Sequence, residues 1–260
     1  MAAKKRIIWL DPVGPNPLVP EFDALLKEIA SPDTEVVVRT LPRGPEHIEY
    51  HYYEALILPD LLTEVRRAEK EGFDAAVIGC FYDVGLQEAR EITGRMIVVA
   101  PAESCTHLAC QMGDRFSIIV GRKKWIPQIR KTVEGYGLGQ RLASLRPLNM
   151  GVLDFQVDHE ETKRRIEEQS RQAIEEDGAE VIILGCTAEF GFFKNAQKGL
   201  GVPFLDPVAV PFKMAEFQVE LRERFGWTHS KICSYETPPS KEMEGWKLDE
   251  QYGIWKTPNP

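Results

Sequence analysis

Short apolar runs alternate with amphipathic stretches along most of the chain. The apolar runs are bounded by glycine, proline or charged residues, which is typical of buried β-strands. The stretches between them carry apolar residues three and four positions apart, and this spacing predicts helices with one buried face. Alternation of strand and helix indicates an α/β fold with mainly parallel sheets.

The predicted elements cover the chain to about position 225. Strands are predicted at 6–10, 34–40, 96–100, 116–120, 142–148 and 202–205, besides the two described in the next paragraph. Helices are predicted at 21–30, at 53–70 or 61–70, and at 124–134, 158–177, 190–197 and 208–225. Two further helices are predicted, one that ends at about 92 and one that begins at about 101. Residues 226–260 are rich in Pro, Gly, Lys and aromatic residues, so we expect an extension that packs on the body or on a neighbouring subunit.

Two stretches of the chain repeat each other at a spacing of 106 residues. Residues 71–80 (EGFDAAVIGC) align without a gap with residues 177–186 (DGAEVIILGC). Each copy has the pattern of a helix end, a glycine turn, a buried strand and a Gly-Cys pair. The repeat predicts two half-domains related by a pseudo-twofold axis, one formed by 1–100 with 208–225 and the other by 101–207.

A cysteine ends each copy of the repeat, Cys80 in the first and Cys186 in the second. Ligands of open α/β sheets bind at the carboxyl ends of the strands, so both thiols are expected at a ligand site. Two weak acids on opposite sides of a small molecule can remove a proton from one face of a carbon and return one to the other. A single cysteine after a strand is often an inert packing residue, but two at symmetric places favour a catalytic pair.

The residues after each cysteine supply candidate partners for this chemistry. A helix is predicted behind each thiol, and a helix N-terminus lowers a thiol pKa. Backbone N–H groups after Cys80 and Cys186, with the Thr187 hydroxyl, could stabilise an enolate oxygen. Asp83 and Glu189 lie three residues past each cysteine and either orient a substrate, tune the thiols or cap a first helical turn. Several aromatic residues lie near the cysteines, and we expect some of them to pack in the core and others to line an apolar pocket. They are Phe81, Tyr82, Phe190, Phe192 and Phe193.

Composition narrows the class of protein. The formal net charge is -8, which argues against a nucleic-acid or anionic-membrane partner. No apolar run approaches the roughly 18 residues of a membrane span, and the first residues lack a signal-peptide core. Five cysteines without a CxxC pair fit a reducing compartment, so we expect a cytoplasmic protein. His47 and His51 could bind a metal on one helical face, but the sequence signals no third ligand, so no metal is expected.

Several of these segments resemble the hydantoin racemases, within the aspartate/glutamate racemase superfamily. Residues 79–86 (GCFYDVGL) resemble the first cysteine motif of that family, and 184–187 (LGCT) resemble the second. Further matches are 48–56 (IEYHYYEAL), 113–119 (GDRFSII), 201–203 (GVP), Ser230-Lys231, Tyr235 and Pro238-Pro239. The resemblance covers the chain to about Gly245.

The resemblance implies an aspartate/glutamate racemase-like fold and racemisation, without a cofactor, at C5 of a 5-substituted hydantoin or of the ureide allantoin. Cys80 and Cys186 would be the two acid/base residues. The implied substrate-binding residues are Pro12, Val13, Gly14, Ile48, Phe81, Tyr82, Thr187 and Ala188. The implied partners are a small-molecule substrate and further copies of the chain in a homo-oligomer.

Two features place the chain within the superfamily. Retention of both cysteines argues against the arylmalonate decarboxylase branch, which keeps only the later one. Residues 11–14 (DPVG) replace the Asn-Pro-Asn-Thr that is frequent in the family, and Tyr82 and Val84 replace its usual Gly and Pro. These departures lie where the substrate would be held, so the resemblance specifies the reaction more closely than the substrate.

Two other functions stay open at this point. A racemase of free aspartate or glutamate would need polar groups for two carboxylates, which the aromatic residues near the cysteines suit poorly. A non-catalytic small-molecule-binding protein on the same fold would leave the thiols incidental, and their reactivity would then resemble that of free cysteine.

Overall fold

Two four-stranded parallel sheets form the framework of the computed structural model, which describes residues 4–252. The first sheet contains β1 (Lys5–Asp11), β2 (Thr34–Thr40), β3 (Ala75–Ile78) and β4 (Ile97–Val99), in the order β2-β1-β3-β4. The second contains β5 (Phe116–Val120), β6 (Leu142–Pro147), β7 (Val181–Leu184) and β8 (Phe204–Leu205), in the order β6-β5-β7-β8. The order is the same in both sheets, and the repeated strands β3 and β7 occupy equivalent places. The predicted α/β fold with parallel sheets is confirmed.

Helices connect the strands as parallel crossovers require. They are α1 (Val19–Ile29), α2 (His51–Lys70), α3 (Leu86–Ile92), α4 (Pro101–Met112), α5 (Ile126–Gly135), α6 (His159–Glu175), α7 (Phe193–Leu200) and α8 (Ala209–Phe225). Two short helices, α9 (Ser240–Gly245) and α10 (Leu248–Tyr252), lie in the C-terminal extension. No helix between residues 4 and 252 is both long and apolar enough to cross a membrane.

The chain divides into two compact units. One holds the first sheet and is formed by residues up to 78, 84–99 and from 212 onward; the other holds the second sheet and is formed by 79–83 and 100–211. The short segment 79–83 therefore belongs to the unit of the second sheet, although it directly follows a strand of the first. Cys80 and Cys186 consequently lie in the same unit.

The second unit is built around an apolar core. Strands β5 and β7 are buried along their whole length, and the large rings of Phe116, at the start of β5, and of Phe155 are fully buried. Burying one such side chain contributes about 1.5–3 kcal/mol, so this core fixes the end of β7, which carries the turn with Cys186.

Helix α2 differs from its prediction because it begins at His51 and runs without a break through Pro59. The buried face formed by Ile57, Leu61 and Val65 continues on both sides of the proline. Packing of this face outweighs the local cost of a proline within a helix, about 3 kcal/mol. His47 lies before the helix, so it shares no helical face with His51. Within residues 4–252 no group of three His, Cys, Asp or Glu side chains could hold a metal ion.

The extension after α8 contacts α3 and β4 of its own unit. The backbone N–H of Val98 donates to His229 Nε2 at 2.9 Å, and the Arg90 guanidinium lies 5.6 Å from the centre of the Tyr235 ring. Lys231 also donates to the Arg90 carbonyl. Trp255, one of the aromatic residues of the predicted extension, lies outside the described residues.

Candidate active site

A tight turn places Cys80 directly after strand β3. The backbone N–H of Asp83 donates to the Cys80 carbonyl at 3.0 Å, and Asp83 adopts a left-handed conformation with φ of 54°. The turn directs the backbone N–H of Tyr82 to Cys80 Sγ at 3.4 Å. A backbone donor at this distance stabilises negative charge on the sulfur.

A second turn places Cys186 after strand β7. The N–H of Gly185 donates to the Ile119 carbonyl at 2.7 Å, and a Cβ at Gly185 would lie 2.6 Å from that oxygen. Only glycine therefore fits immediately before Cys186. Cys186 is the N-cap of a 3₁₀ turn, Thr187–Glu189, in which the Glu189 N–H donates to the Cys186 carbonyl at 2.9 Å.

The helices predicted behind the thiols are present as α3 and α7, but neither cysteine stands at the N-terminus of its helix, so the expected placement of each thiol at a helix N-terminus is wrong. Turn residues separate Cys80 from α3, which begins at Leu86, and separate Cys186 from α7, which begins at Phe193. Repeated glycines cause this separation, since Gly85 and Gly191 both have positive φ and interrupt helical geometry.

A hydrogen bond joins the two cysteine turns within the second unit. Thr187 Oγ1 donates to the Gly79 carbonyl at 3.1 Å, and these residues are the immediate neighbours of Cys186 and Cys80. Adding standard bond lengths along this connection places the two cysteine Cα atoms within roughly 12 Å of each other. Cys80 is 9% exposed and Cys186 is half-buried.

The Thr187 hydroxyl has a definite partner in this arrangement. Its one hydrogen is directed to the Gly79 carbonyl, so the hydroxyl fastens the two turns together. Donation from Thr187 to a substrate oxygen would first require this bond to break. Backbone N–H groups of the turns are better placed as donors to a bound oxygen.

Other residues predicted to bind substrate fall into two groups. In the second unit Phe81 belongs to the hydrophobic core, Tyr82 is half-buried against that core, and the Ala188 carbonyl accepts from Gln156 Nε2 at 2.8 Å. In the first unit the residues are buried at the ends of strands or loops: Pro12, Val13, Gly14 and Ile48. Backbone bonds from Gly14 N–H to Pro45, 3.0 Å, and from Leu41 N–H to Val13, 2.9 Å, hold the loop after β1.

Comparison with known proteins identifies the family. Residues 17–215 match the family model described as Asp/Glu/Hydantoin racemase. A hydantoin racemase of Pseudomonas sp. (strain NS671) is 38% identical over 219 residues, which are 84% of this chain and 86% of that protein. A hydantoin racemase of Paenarthrobacter aurescens is 35% identical over 242 residues, covering 91% of this chain and 99% of that protein.

A solved structure agrees with this assignment. The allantoin racemase from Klebsiella pneumoniae superposes with a TM-score of 0.82 at 29% identity, covering 90% of this chain and 93% of that one. The chain belongs to the Asp/Glu/hydantoin racemase family. It is accordingly an isomerase, a racemase of the hydantoin/allantoin type that acts on a small molecule.

The first turn of the racemase contains a buried carboxyl group with three hydrogen-bond donors. Asp83 accepts from the backbone N–H groups of Ala102, at 2.8 Å, and Glu103, at 2.7 Å. The Tyr136 hydroxyl donates to it at 2.6 Å. Asp83 thus caps α4, not the helix that follows Cys80. Burial raises its pKa to about 7, although the three donors oppose the shift.

The second turn of the racemase contains the equivalent acid, Glu189, in a different state. Its side chain is fully buried, with 0% exposure, and among residues 4–252 neither carboxyl oxygen has a hydrogen-bond partner. The backbone N–H groups of Gly185 and Cys186 approach the carboxyl group without completing a hydrogen bond and lower its pKa, but burial is the larger effect and raises the pKa well above its usual range.

Asp206 performs the capping role in the second half. This carboxylate accepts from the N–H groups of Val208, at 2.8 Å, Ala209, at 2.9 Å, and Gly191, at 3.1 Å. It therefore caps α8 and ties the loop after Cys186 to the strand end beside it. Asp206 and Tyr136 were not predicted from the sequence, although the position of Asp206 one residue before Pro207 is a recognisable capping signal.

Proposed function

We propose that this racemase inverts the C5 stereocentre of 5-substituted hydantoins by proton transfer between two thiols, Cys80 and Cys186, without a cofactor. The single observation that carries the proposal is the bond from Thr187 Oγ1 to the Gly79 carbonyl, which joins the two cysteine turns. A planar hydantoin ring needs one group above it and one below it. Two cysteines with Cα atoms within roughly 12 Å can both reach such a ring.

The chemistry needs one thiolate and one thiol. The thiolate takes the proton from C5, and the electrons of the C–H bond pass into the ring as an enolate with charge on the C4 oxygen. The thiol then gives its proton to the opposite face of C5, and the two sulfurs have exchanged protonation states. For the other enantiomer the roles are reversed, so both cysteines serve as acid and as base.

Backbone groups support both charges in this mechanism. The Tyr82 N–H, 3.4 Å from Cys80 Sγ, favours the thiolate at that position. Backbone N–H groups of the turns are the candidate donors to the enolate oxygen, where each donor contributes several kilocalories per mole in a dry site. Acid/base transfer itself contributes about 10²- to 10⁴-fold in rate.

Allantoin is the second candidate substrate, and it is itself a hydantoin with a ureido group at C5. The likeness to the allantoin racemase from Klebsiella pneumoniae favours it. The two candidates share the reaction and differ only in the group held beside C5. Assembly as a homo-oligomer and location in the cytoplasm stay predictions.

A panel of single enantiomers tests the proposal. We expect enzyme without added cofactor to abolish the optical rotation of a 5-substituted hydantoin, of allantoin or of both, and to leave aspartate and glutamate unchanged. Chiral chromatography against an enzyme-free blank measures the conversion. Racemisation of the amino acids alone would contradict the proposal and favour the free amino-acid racemase.

A further inference from the structure

A cavity of about 480 Å³ lies at the carboxyl end of the second sheet, and cationic residues dominate its lining. Arg122, Lys123 and Lys124 line one wall, and the other wall is lined by Asn149, Met150, Gly151 and Asp154. Asp154 is the only carboxylate among the lining residues, and it accepts from the Gly151 N–H at 2.9 Å. The chain as a whole has a formal charge of -8, so this local excess of positive charge is opposite to the average.

Backbone pairing fixes the two walls of this cationic pocket. The Leu148 N–H donates to Val120 at 2.8 Å, and the Met150 N–H donates to Gly121 at 3.0 Å, which extends the pairing of β5 and β6 beyond their ends. A Cβ at Gly121 would lie 2.3 Å from the ring of Trp125, a buried side chain. The loop that carries the cations is therefore packed tightly on the core of the unit.

The cationic pocket and Cys186 follow the ends of neighbouring strands. Ile119 of β5 and Leu184 of β7 are the last pair between these strands, and the Gly185 N–H still donates to the Ile119 carbonyl at 2.7 Å. Paired strands are about 4.8 Å apart. Cys186 comes two residues after this pair and Arg122 three, so the cysteine and the cations follow the same edge of the sheet.

We propose that the cationic pocket receives an acidic group on the C5 substituent of the substrate, so that the preferred substrates are hydantoins with a short carboxyalkyl side chain. This inference rests on the proposed function, because it assumes that the C5 carbon is held at Cys186. A two-methylene side chain with a terminal carboxylate extends about 4–5 Å from C5, which lets the carboxylate reach from Cys186 toward the neighbouring strand end.

Charge decides between an acidic substituent and a neutral one of the same shape. Hydantoin-5-propionate and hydantoin-5-propionamide differ only in that the first carries a carboxylate. Cationic side chains attract the carboxylate and donate charge-assisted hydrogen bonds to it, which are about twice as strong as neutral ones. An advantage of roughly 1.4 kcal/mol in transition-state binding corresponds to about tenfold in kcat/KM.

The test compares these two substrates on the full-length enzyme and on two variants of equal charge change. In the wild type we expect kcat/KM for the acid to exceed that for the amide about tenfold. The pocket variant Lys123→Gln/Lys124→Gln should lower this ratio several-fold, as should 0.5 M NaCl through screening. The control variant Arg130→Gln/Lys131→Gln removes two exposed charges from α5 and should keep the wild-type ratio.

Several results would overturn the proposal. A ratio at or below one, or a ratio equal in the pocket and control variants, would show that the cations do not contact the substituent. Inhibition by inorganic phosphate that affects both substrates equally and disappears in the pocket variant would indicate an anion site separate from the substrate. Calorimetric binding of the acid and the amide gives the same comparison without turnover. If neither compound is racemised yet the acid binds more tightly through the pocket, the proposed function fails while the pocket assignment stands.

Discussion

The turns after Cys80 and Cys186 each place a carboxylic acid three residues beyond the cysteine, but the two acids have opposite surroundings. Asp83 accepts three hydrogen bonds, two of them from the N-terminus of α4. Glu189 is fully buried, and no described residue donates to its carboxyl oxygens. Equivalent positions in a repeat have therefore acquired different roles.

The helix caps explain the difference. Pro101 and Pro207 are equivalent in the repeat, and the residues before them are Ala100 and Asp206. In the second half Asp206 caps its helix from within the same segment, so the acid of the cysteine turn has no helix to cap. In the first half Ala100 has no carboxylate, and Asp83 supplies it. The capping function is present in both halves but comes from different places in the sequence.

Replacing either cysteine gives the largest expected effect. The two turns should be equally necessary, because each thiol acts as base for one enantiomer and as acid for the other. We expect Cys80→Ser and Cys186→Ser each to lower kcat for racemisation by about 10²- to 10⁴-fold. Cys233→Ser, the same change at an exposed cysteine of the C-terminal extension, should retain wild-type activity. Normal racemisation by either active-site variant would remove the two-thiol mechanism.

Asp83→Asn should destabilise the fold by about 2 kcal/mol, because an amide group cannot accept from both backbone N–H groups. The folded-state pKa of about 7 exceeds the unfolded value, 3.8, so the stability from Asp83 is fully present below pH 4 and declines as pH rises through 7. The loss on substitution should therefore be larger at pH 5 than at pH 8. Urea unfolding at the two pH values measures it, and an unchanged midpoint would refute the capping role.

Glu189→Gln should stabilise the fold, whereas Asp83→Asn should destabilise it. Burial raises the pKa of Glu189 well above its ordinary value of 4.5, so the folded protein loses stability as pH rises above that value. Glutamine resembles the protonated acid and does not ionise, so the variant should gain stability over wild type, and the gain should increase with pH. Thermal unfolding from pH 5 to pH 9 tests this. Destabilisation equal to that of Asp83→Asn would mean that Glu189 has an essential partner.

Tyr136→Phe should give the smallest effect, about 1 kcal/mol, since it removes one of three donors to Asp83. The two backbone donors remain, so the cap persists. A double-mutant cycle with Asp83→Asn measures the coupling between the two side chains. Additive effects would show that the hydroxyl contributes nothing through Asp83.

Local pattern was enough to predict most of the framework. Buried apolar runs gave strands such as Thr34–Thr40 and Phe116–Val120 with the observed bounds. The 106-residue repeat indicated that two cysteines end equivalent strands, and β3 and β7 do occupy equivalent places. These features depend on neighbouring residues, which a sequence displays directly.

Features that depend on distant residues could not be predicted in the same way. Asp83 caps a helix that begins 18 positions later, and the Thr187 hydroxyl bonds to a carbonyl 108 positions earlier. The helices expected behind the cysteines are present, but each begins several residues beyond its thiol, because Gly85 and Gly191 adopt positive φ in the intervening turns. The exchange of Ala100 for Asp206 was visible in the repeat, and it is the signal that distinguishes the two acids.

The fate of the C5 hydrogen in D₂O tests the two-thiol account most directly. Starting from one enantiomer of a 5-substituted hydantoin, mass spectrometry of the separated enantiomers follows deuterium at C5 during early turnover, with an enzyme-free blank. Two bases on opposite faces predict that the newly formed enantiomer carries deuterium while the remaining starting enantiomer still carries protium. Deuterium appearing equally fast in the remaining starting enantiomer would mean that one base exchanges its proton on the same face, and would contradict the pairing of Cys80 with Cys186.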